Sequence, residues 1–203
     1  MIDLVVVIFI AGTPPVVVEI LTRRKILNGE VSRKVVHVVS SLTAVVIAHL
    51  YDLDMILILG YIVAPIMMMA RFSRVFKSVN SADRKSYGEI AFTVGVFASA
   101  YLARDLRDFA FAMLCLAFVD TAALLIGKRY GKHKIFNTGK TLEGTLAATV
   151  TALVIAVALY PEVGPSSVLL VGVAVALFEA VGVYGTDNVT LPVGAVLAVS
   201  YIG

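Results

Sequence analysis

Residues 108–144 read DFAFAMLCLAFVDTAALLIGKRYGKHKIFNTGKTLEG, which is an apolar segment, a basic loop and the start of a second apolar segment. The first segment runs to Gly127, and Asp120 is its one charged residue after residue 108. A helix of about 20 apolar residues crosses the hydrocarbon core of a bilayer. The loop that follows carries five Lys or Arg residues between Lys128 and Lys140. This order of apolar helix, basic loop and apolar helix predicts a membrane protein.

The rest of the chain repeats this pattern. Its 203 residues are 60% apolar with a mean hydropathy of +0.95, which excludes an ordinary soluble domain. We predict an all-α, polytopic membrane helix bundle that forms a single domain over residues 1–203. The seven or eight predicted helices cover about 2–21, 35–51, 55–70, 88–103, 108–127, 141–160, 166–184 and 189–202.

The positive charges predict the orientation of this bundle. Three segments hold five Lys or Arg residues each: Arg23–Lys34, Arg71–Lys85 and Lys128–Lys140. Cytoplasmic loops accumulate Lys and Arg, so these segments face the cytoplasm and the N-terminus lies outside. The protein is then a multi-pass protein of the cell membrane, or of the endoplasmic reticulum in a eukaryote.

Two simple counts exclude other classes of protein. The single cysteine, Cys115, lies in the middle of a predicted helix, so an internal disulfide and a cysteine metal cluster are excluded. The net charge of +3 follows from the cytoplasmic loops, so we expect no nucleic-acid partner.

The ionisable residues of the apolar segments fall at the predicted cytoplasmic end. Each costs about 2.5–3.5 kcal/mol to insert into a bilayer, so such residues are functional candidates. The predicted helices also point several N-termini at this layer, and helix N-termini favour phosphate. Carboxylates, basic loops and helix N-termini together predict a site for a metal-bound polyphosphate at the cytoplasmic face. The residues in this layer are Glu19, His37, Glu89, Asp120, Glu143, Glu179 and Asp187.

Several of these residues also have a purely structural interpretation. Glu19 can pair with Arg23 one helical turn away, and we favour that pairing. Ser86-x-x-Glu89 is a capping box, and Asp187 or Asn188 can cap a helix. His37 can be an isolated interfacial histidine. Asp120 and Glu179 lie among apolar residues and have no such interpretation.

The segment after Asp120 has features of a phosphate site. Gly127 and Gly131 let the backbone approach a ligand closely, and Thr141 is a predicted N-cap of the next helix. Glu143 lies in the first turn of that helix, at the predicted depth of Asp120. Gly139-Lys140-Thr141 is not a P-loop, because that motif needs glycine where this chain has Lys134.

These residues resemble the CTP-dependent polyprenol kinases, which include dolichol kinase and phytol kinase and are distantly similar to phosphatidate cytidylyltransferases. The central motifs are Asp120-x-x-Ala123 with Gly127-Lys128-x-x-Gly131, and Lys140-Thr141-x-Glu143-Gly144. The outer motifs are Arg33-Lys34-x-x-His37, and Glu179 followed by Asp187-Asn188-x-x-x-Pro192. One departure is Val119, where family members often have glycine.

The resemblance implies that the γ-phosphate of CTP is transferred to a lipid alcohol such as a polyprenol or dolichol. The roles that follow are hypotheses. The phosphates would be held by Lys128, Arg129, Lys132, Lys134, Lys140 and Thr141. Mg²⁺ would be held by Asp120 and Glu143, with Asp187. A carboxylate, Glu179 or Asp120, would take or orient the hydroxyl proton. Arg33 and His37 would hold a phosphate or the acidic residues, with Glu89 and Asn188 nearby.

Two other functions stay open. A lipid-phosphate cytidylyltransferase would use the same site and release pyrophosphate. A small transporter would place its ionisable residues nearer the midplane of the bilayer, between inverted repeats. This chain shows only weak similarity between two of its segments. The lipid alcohol cannot be read from the sequence. Glycines such as Gly172, Gly182 and Gly194 permit close packing within or between chains, which leaves a homo-oligomer open.

Overall fold

The computed structural model describes residues 2–73, 88–135, 139–183 and 185–202. Over these residues the chain is helical, as predicted, apart from short loops and a two-stranded ribbon that was not predicted. The helices are α1 (Ile2–Arg23), α2 (Gly29–Ser73), α3 (Gly88–Leu102), α4 (Leu106–Leu114), α5 (Asp120–Tyr130), α6 (Leu142–Leu159), α7 (Pro165–Val181) and α8 (Asp187–Ser200). A π-helical turn, Cys115–Val119, joins α4 to α5. The ribbon strands are β1 (Lys134–Ile135) and β2 (Lys140–Thr141).

Four stretches are long and apolar enough to cross a membrane: Asp3–Arg23, Val31–Ile66, Leu106–Tyr130 and Leu142–Leu159. Three shorter apolar helices accompany them. The side chains that point away from the bundle are also apolar. In α6, for example, Leu146, Val150, Val154 and Val157 are exposed. An outer surface of this kind suits hydrocarbon rather than water, so the protein is a membrane protein.

The stretch α2 consists of two helices, as the sequence predicts, that meet at a non-helical residue. Its chain is bent at Asp52, where φ is 69° and ψ is 171°. The bend divides α2 into a first arm, residues 29–51, and a second arm, residues 53–73. His37 of the first arm contacts Phe92 of α3, and Tyr61 of the second arm contacts Phe97 one turn further along α3. The two arms therefore lie side by side and run in opposite directions.

The helix from Leu106 to Tyr130 is the centre of the bundle. Phe109, Phe111, Met113 and Leu116 are at most 1% exposed. This helix packs against α2, α6 and α8. Its apolar side chains are therefore buried by protein rather than by lipid, and the rest of the molecule is arranged around it.

A stripe of small residues brings α6 close to its neighbours. Gly144, Ala148, Ala152 and Ala156 are buried and recur every four residues, so they share one face of the helix. Small side chains let helix backbones approach closely in a membrane. At the start of this stripe, a Cβ atom on Gly144 would lie 2.8 Å from the carbonyl oxygen of Ala123. The stripe thus holds the start of α6 against α5.

Candidate functional site

Five charged side chains meet at one end of the bundle, and we call them the ionic cluster: Lys34, Asp120, Lys140, Glu179 and Asp187. Lys34 donates a hydrogen bond to Asp120 Oδ2. Lys140 donates to Glu179 Oε1 and also, at 3.4 Å, to Asp187 Oδ2. The five residues lie on α2, α5, β2, α7 and α8. Asp120 also interacts electrostatically with Lys140, Glu179 and Asp187, so residues up to 153 positions apart in the sequence are brought to one place.

The ionic cluster is largely removed from solvent. Asp120 is 6% exposed and Glu179 is 2% exposed. A charge in such a place must be paired, because its desolvation costs several kcal/mol. Glu179 Oε2 is nevertheless buried without a hydrogen-bond partner among the described residues. The charges of the cluster are therefore paired, but Oε2 of Glu179 can still accept a hydrogen bond.

The π-helical turn Cys115–Val119 ends directly before Asp120. A π-helical turn contains one residue more than regular α-helical winding, and such turns are frequent at functional sites. The extra residue turns α5 about the helix axis relative to α4, by about 100°. The apolar side chains of α4 and the carboxylate of Asp120 can therefore each face the partners they need.

The ribbon β1–β2 places Lys140. Lys134 pairs with Thr141 and Ile135 with Lys140 in an antiparallel register. Burial opposes the charge of Lys140, but Glu179 and Asp187 outweigh it and raise the pKa of this lysine above its usual value. Lys140 is therefore an ammonium group at neutral pH. Thr141 caps α6 as predicted, since its hydroxyl accepts a hydrogen bond from Gly144 N at 3.2 Å.

Glu143 lies near this cluster in the sequence but has a different partner. Its Oε1 atom is 2.7 Å from His133 Nδ1, and its side chain is 23% exposed. No hydrogen bond or ion pair between Glu143 and Asp120 is found among the described residues. The structure thus gathers Asp120 and Asp187 of the three predicted metal ligands around the lysines, and holds Glu143 at the neighbouring ribbon.

The remaining basic residues of the predicted phosphate site lie at the rim. Lys128, Arg129, Lys132 and Lys134 are exposed at the end of α5 and on the ribbon. The guanidinium of Arg129 lies 5.5 Å from the ring centroid of Tyr130. Exposed cations around a buried ionic cluster favour the approach of an anion.

Three further candidates lie beside the cluster. His37 is 9% exposed, contacts the ring of Phe92, and has no partner for Nδ1 among the described residues. Arg33 lies one turn before it. Asn188 donates to the carbonyl oxygen of Gly88 at 3.0 Å, so it ties α8 to α3.

The structural interpretations of the acidic residues have mixed outcomes. The predicted pair of Glu19 and Arg23 is confirmed, with 2.6 Å between Glu19 Oε1 and Arg23 Nε. Asp187 is the first residue of α8 and not its N-cap. The N-cap position is occupied by Thr186, whose side chain makes no capping hydrogen bond. Glu89 lies at the start of α3, but its side chain and the whole of Ser86 fall outside the described parts of the chain.

A second polar cluster lies at the opposite end, and the sequence analysis missed it. Asp108 is completely buried and accepts hydrogen bonds from Arg104 Nε and from the hydroxyl of Tyr160, both at 2.7 Å. Arg104 also donates to the carbonyl oxygens of Val199 and Ser200 at 3.3 Å. The four-residue spacing of Arg104 and Asp108 was the signal that could have found it.

The oxygen ligands near Lys140 suit a metal that arrives with a nucleotide. Within the described residues, no group of three His, Cys, Asp or Glu side chains could hold a metal ion alone. Mg²⁺ commonly uses one or two carboxylates and takes its other ligands from water and substrate phosphates. Asp120 and Asp187 supply that number, so these donors would fit a Mg²⁺ ion whose other ligands are water and phosphate oxygens.

An apolar helical bundle with a buried ionic cluster at one end defines a class of membrane protein with a polar site at the edge of its hydrophobic region. Within that class, the sequence matches the Cytidylyltransferase family over residues 2–186, and the chain belongs to that family. The resemblance to the polyprenol kinases is confirmed by relatives that are named as kinases of this kind.

Three similar proteins are informative. A phytol kinase of Synechocystis sp. is 27% identical over 198 residues, which covers 92% of this chain and 85% of the relative. The dolichol kinase of Schizosaccharomyces pombe is 34% identical over 85 residues, 39% of this chain and 17% of that longer protein. An uncharacterised protein of Methanocaldococcus jannaschii is 35% identical over 106 residues, about half of each chain. No solved structure matches this chain.

Proposed function

We propose that this protein is a lipid kinase that transfers the γ-phosphate of CTP to the hydroxyl of a polyprenol-type alcohol. The observation that carries the proposal is the buried ionic cluster at one end of an apolar bundle, since it puts phosphate-binding chemistry beside a lipid phase. The names of two relatives, phytol kinase and dolichol kinase, support the reaction. The family, whose name refers to cytidylyl transfer, supports CTP as the donor.

The nucleotide would approach through the exposed basic rim. Lys128, Arg129, Lys132 and Lys134 would attract and hold its phosphates by charge-assisted hydrogen bonds. Lys140 and Thr141 lie at the N-terminus of α6, where free backbone N–H groups and the helix dipole favour an anion. Binding an additional anion at Lys140 would weaken its bond to Glu179 and leave that carboxylate more basic.

Mg²⁺ would be held by Asp120 and Asp187, with Glu143 as a third ligand if it leaves His133. When bound, the metal neutralises charge on the phosphates. The protein supplies the positions of these carboxylates through three different helices, so the site exists only in the folded bundle.

The chemical step needs a base and a leaving group. The lipid oxygen attacks the γ-phosphorus, the bond from that phosphorus to the bridging oxygen breaks, and CDP leaves with the electron pair. The hydroxyl proton passes to Asp120 or to Glu179. Glu179 has the buried oxygen without a hydrogen-bond partner among the described residues, and this supports it as acceptor.

The location would be a multi-pass membrane protein with its site at the cytoplasmic face. The basic segments around residues 23–34 and 128–140 adjoin the ionic cluster, while Glu162 and Arg104 lie at the other end. Lys and Arg mark the cytoplasmic side, which supports an outer N-terminus.

A second candidate, a CTP-dependent lipid-phosphate cytidylyltransferase, is favoured by the name of the matched family. It would use the same carboxylates and lysines. Its products differ, because it would join the cytidylyl group to a lipid phosphate and release pyrophosphate.

The test uses the whole purified protein in detergent with two preparations of CTP, labelled at the α- or the γ-phosphate. A prenyl alcohol, a prenyl phosphate and phosphatidic acid serve as acceptors, with and without EDTA. We expect γ-label in the alcohol product, none from α-label, and loss of transfer in EDTA. Transfer of α-label to a lipid phosphate would overturn the kinase proposal and establish the second candidate. ATP in place of CTP tests the choice of donor.

A further inference from the structure

An apolar groove lies between α1, the two arms of α2 and α3. Its volume is about 340 Å³. Its walls are mostly aliphatic or aromatic, with Ile8, Ile47, Val63 and Phe97 as examples. At one end the lining changes to Arg33, His37 and Ser40. Among the described residues the groove is thus lined by mostly apolar side chains, with a strongly polar end at Arg33 and His37.

The groove runs along the helices rather than across them. His37 and Ile47 both line it and are ten residues apart on one arm, which corresponds to about 15 Å of helix. The opposite arm supplies lining residues from Ile56 to Ile66. This length is about half of the roughly 30 Å hydrocarbon core of a bilayer. An extended hydrocarbon chain is the kind of molecule that has this shape.

The polar end of the groove lies one helical turn from Lys34, a member of the ionic cluster. Lys34, which donates to Asp120, and His37 are three residues apart and therefore on the same face of the helix. His37 lines the groove, while Lys34 binds the carboxylate of the central helix. A group held at His37 is consequently one helical turn from the partner of Asp120.

The ring of His37 has capacity for a ligand. Its Nδ1 atom is buried and has no hydrogen-bond partner within the described parts of the chain. An unsatisfied buried polar atom is destabilising, and a hydroxyl group at this position would give it a hydrogen-bond partner.

We infer that this groove binds the acceptor substrate, a lipid alcohol with a single isoprenoid-type tail. The tail lies between α1 and the arms of α2, and the hydroxyl forms a hydrogen bond with His37 at the edge of the ionic cluster. This inference rests on the proposed function for the identity of the acceptor. It adds the binding site, the number of tails and the residue that positions the hydroxyl.

Gly12 offers a way to block the groove without disturbing the fold. It lines the groove, and a Cβ atom added to it meets nothing within 4 Å. Gly12→Leu therefore places an apolar side chain in the groove from α1 with no clash at its Cβ. Thr13→Leu is the matched control, because Thr13 is exposed and does not line the groove.

The first experiment compares two alcohols with the whole protein in detergent. One alcohol has four isoprene units and the other has one. Gly12→Leu should raise the KM of the long alcohol about tenfold or more, since one added methylene in an apolar pocket has effects of that size. The KM of the short alcohol and of CTP should stay unchanged, and Thr13→Leu should behave as wild type. An equal effect on both alcohols, or none on either, would overturn the inference that the groove binds the tail of the alcohol.

A second variant pair tests the polar end. His37→Leu should lower kcat/KM for both alcohols, because both carry the hydroxyl. His37→Gln should recover part of that loss, since an amide can make a similar hydrogen bond. Equal activity of His37→Leu and wild type would remove His37 from hydroxyl binding. Diacylglycerol should be a poor acceptor, and efficient phosphorylation of it that Gly12→Leu blocks would overturn the single-tail assignment.

A binding measurement separates this inference from the proposed function. If the wild type transfers phosphate to no alcohol, the proposed kinase fails, and a photoreactive prenyl alcohol still tests the groove. Crosslinks within α1–α3 that Gly12→Leu removes would support it. Crosslinks elsewhere, or crosslinks that persist in Gly12→Leu, would overturn it.

Discussion

Asp120 joins the central helix to the first arm of α2 through Lys34. Its carboxylate lies in a place where only a paired charge is tolerated, and its partner Lys34 lies one helical turn from His37 at the polar end of the apolar groove. If the pair of Lys34 and Asp120 were only structural, Asp120 would need only to balance the charge of Lys34. A catalytic carboxylate would also need its full negative charge near the phosphates.

Asp120→Asn tests this difference. The amide keeps the shape and a hydrogen bond to neighbouring groups, so we expect a folded protein. Phosphoryl transfer should fall about 100- to 1,000-fold, the usual effect of removing one electrostatic contact to a transition state. The measurement is initial rate with γ-labelled CTP, alongside gel filtration in detergent. Glu162→Gln, at an exposed acid, is the control. A wild-type rate in Asp120→Asn would exclude Asp120 from the chemistry.

Lys140 and Glu179 form a pair whose two members depend on each other. Glu179 is 2% exposed, so Lys140→Met would leave it as an unpaired buried charge. We expect a loss of about 3–5 kcal/mol in the free energy of unfolding. The double variant Lys140→Met with Glu179→Gln should recover most of this stability but not the activity.

The measurement for this pair is the melting temperature in detergent together with the transfer rate. Lys132→Met, at an exposed lysine of the rim, is the control for loss of one positive charge. If the double variant were as unstable as Lys140→Met, the pairing would not be the source of the instability.

The sequence identifies the members of the ionic cluster better than their partners. Asp120 and Glu179 could be predicted because a carboxylate in an apolar membrane helix is costly to insert and is therefore a functional candidate. The pairing of Lys34 with Asp120 spans 86 residues, and no local pattern encodes a contact at that separation. The bond of Glu143 to His133 depends on the ribbon, which the sequence analysis did not predict.

At the scale of elements, the predicted helices are close to the observed ones because apolar length is a strong signal. The prediction of about 108–127 compares with the observed stretch Leu106–Tyr130. The π-helical turn could not be predicted, because it depends on which side of the helix each neighbour occupies. The same holds for the bend at Asp52, where the sequence indicates an interruption but not its angle.

The cluster around Asp108 joins α4 to α6 and to the end of α8, and we expect it to be structural. Arg104→Met would remove the main partner of a fully buried carboxylate. The free energy of unfolding should fall by about 3–5 kcal/mol. The transfer rate per folded molecule should stay near that of wild type, because this cluster lies at the far end from Asp120.

Thermal unfolding and an active-fraction-corrected rate check this expectation. Arg107 provides the comparison: its ion pair with Glu162 is exposed and should contribute little, and its other contact is with the ring of Tyr160, 4.4 Å from the centroid. Arg107→Met should therefore change the melting temperature less than Arg104→Met. A strong loss of rate in folded Arg104→Met would contradict a purely structural cluster.

At the scale of the whole molecule, the polar groups of the described residues are concentrated at the two ends, and the sides are apolar. The basic end predicts which face meets the cytoplasm. Single cysteines can test this, because Cys115 is buried and can first be replaced by alanine. Lys132→Cys and Glu162→Cys then report on the two ends.

We expect a membrane-impermeant maleimide to label Glu162→Cys in intact cells. Lys132→Cys should be labelled only after the membrane is permeabilised. The opposite result would invert the orientation and place the nucleotide site outside, which no intracellular CTP could reach. Labelling of both cysteines in intact cells would show that the reagent had entered.

The π-helical turn before Asp120 also determines where the central helix can tolerate the deletion of a residue. The central helix has one residue more at Cys115–Val119 than regular winding requires. Loss of one residue there can be absorbed by rewinding, so both flanks keep their neighbours. Loss of one residue within Leu106–Leu114 would instead turn the flanks by about 100° against each other. Natural or engineered shortening of this helix is therefore to be sought at that turn.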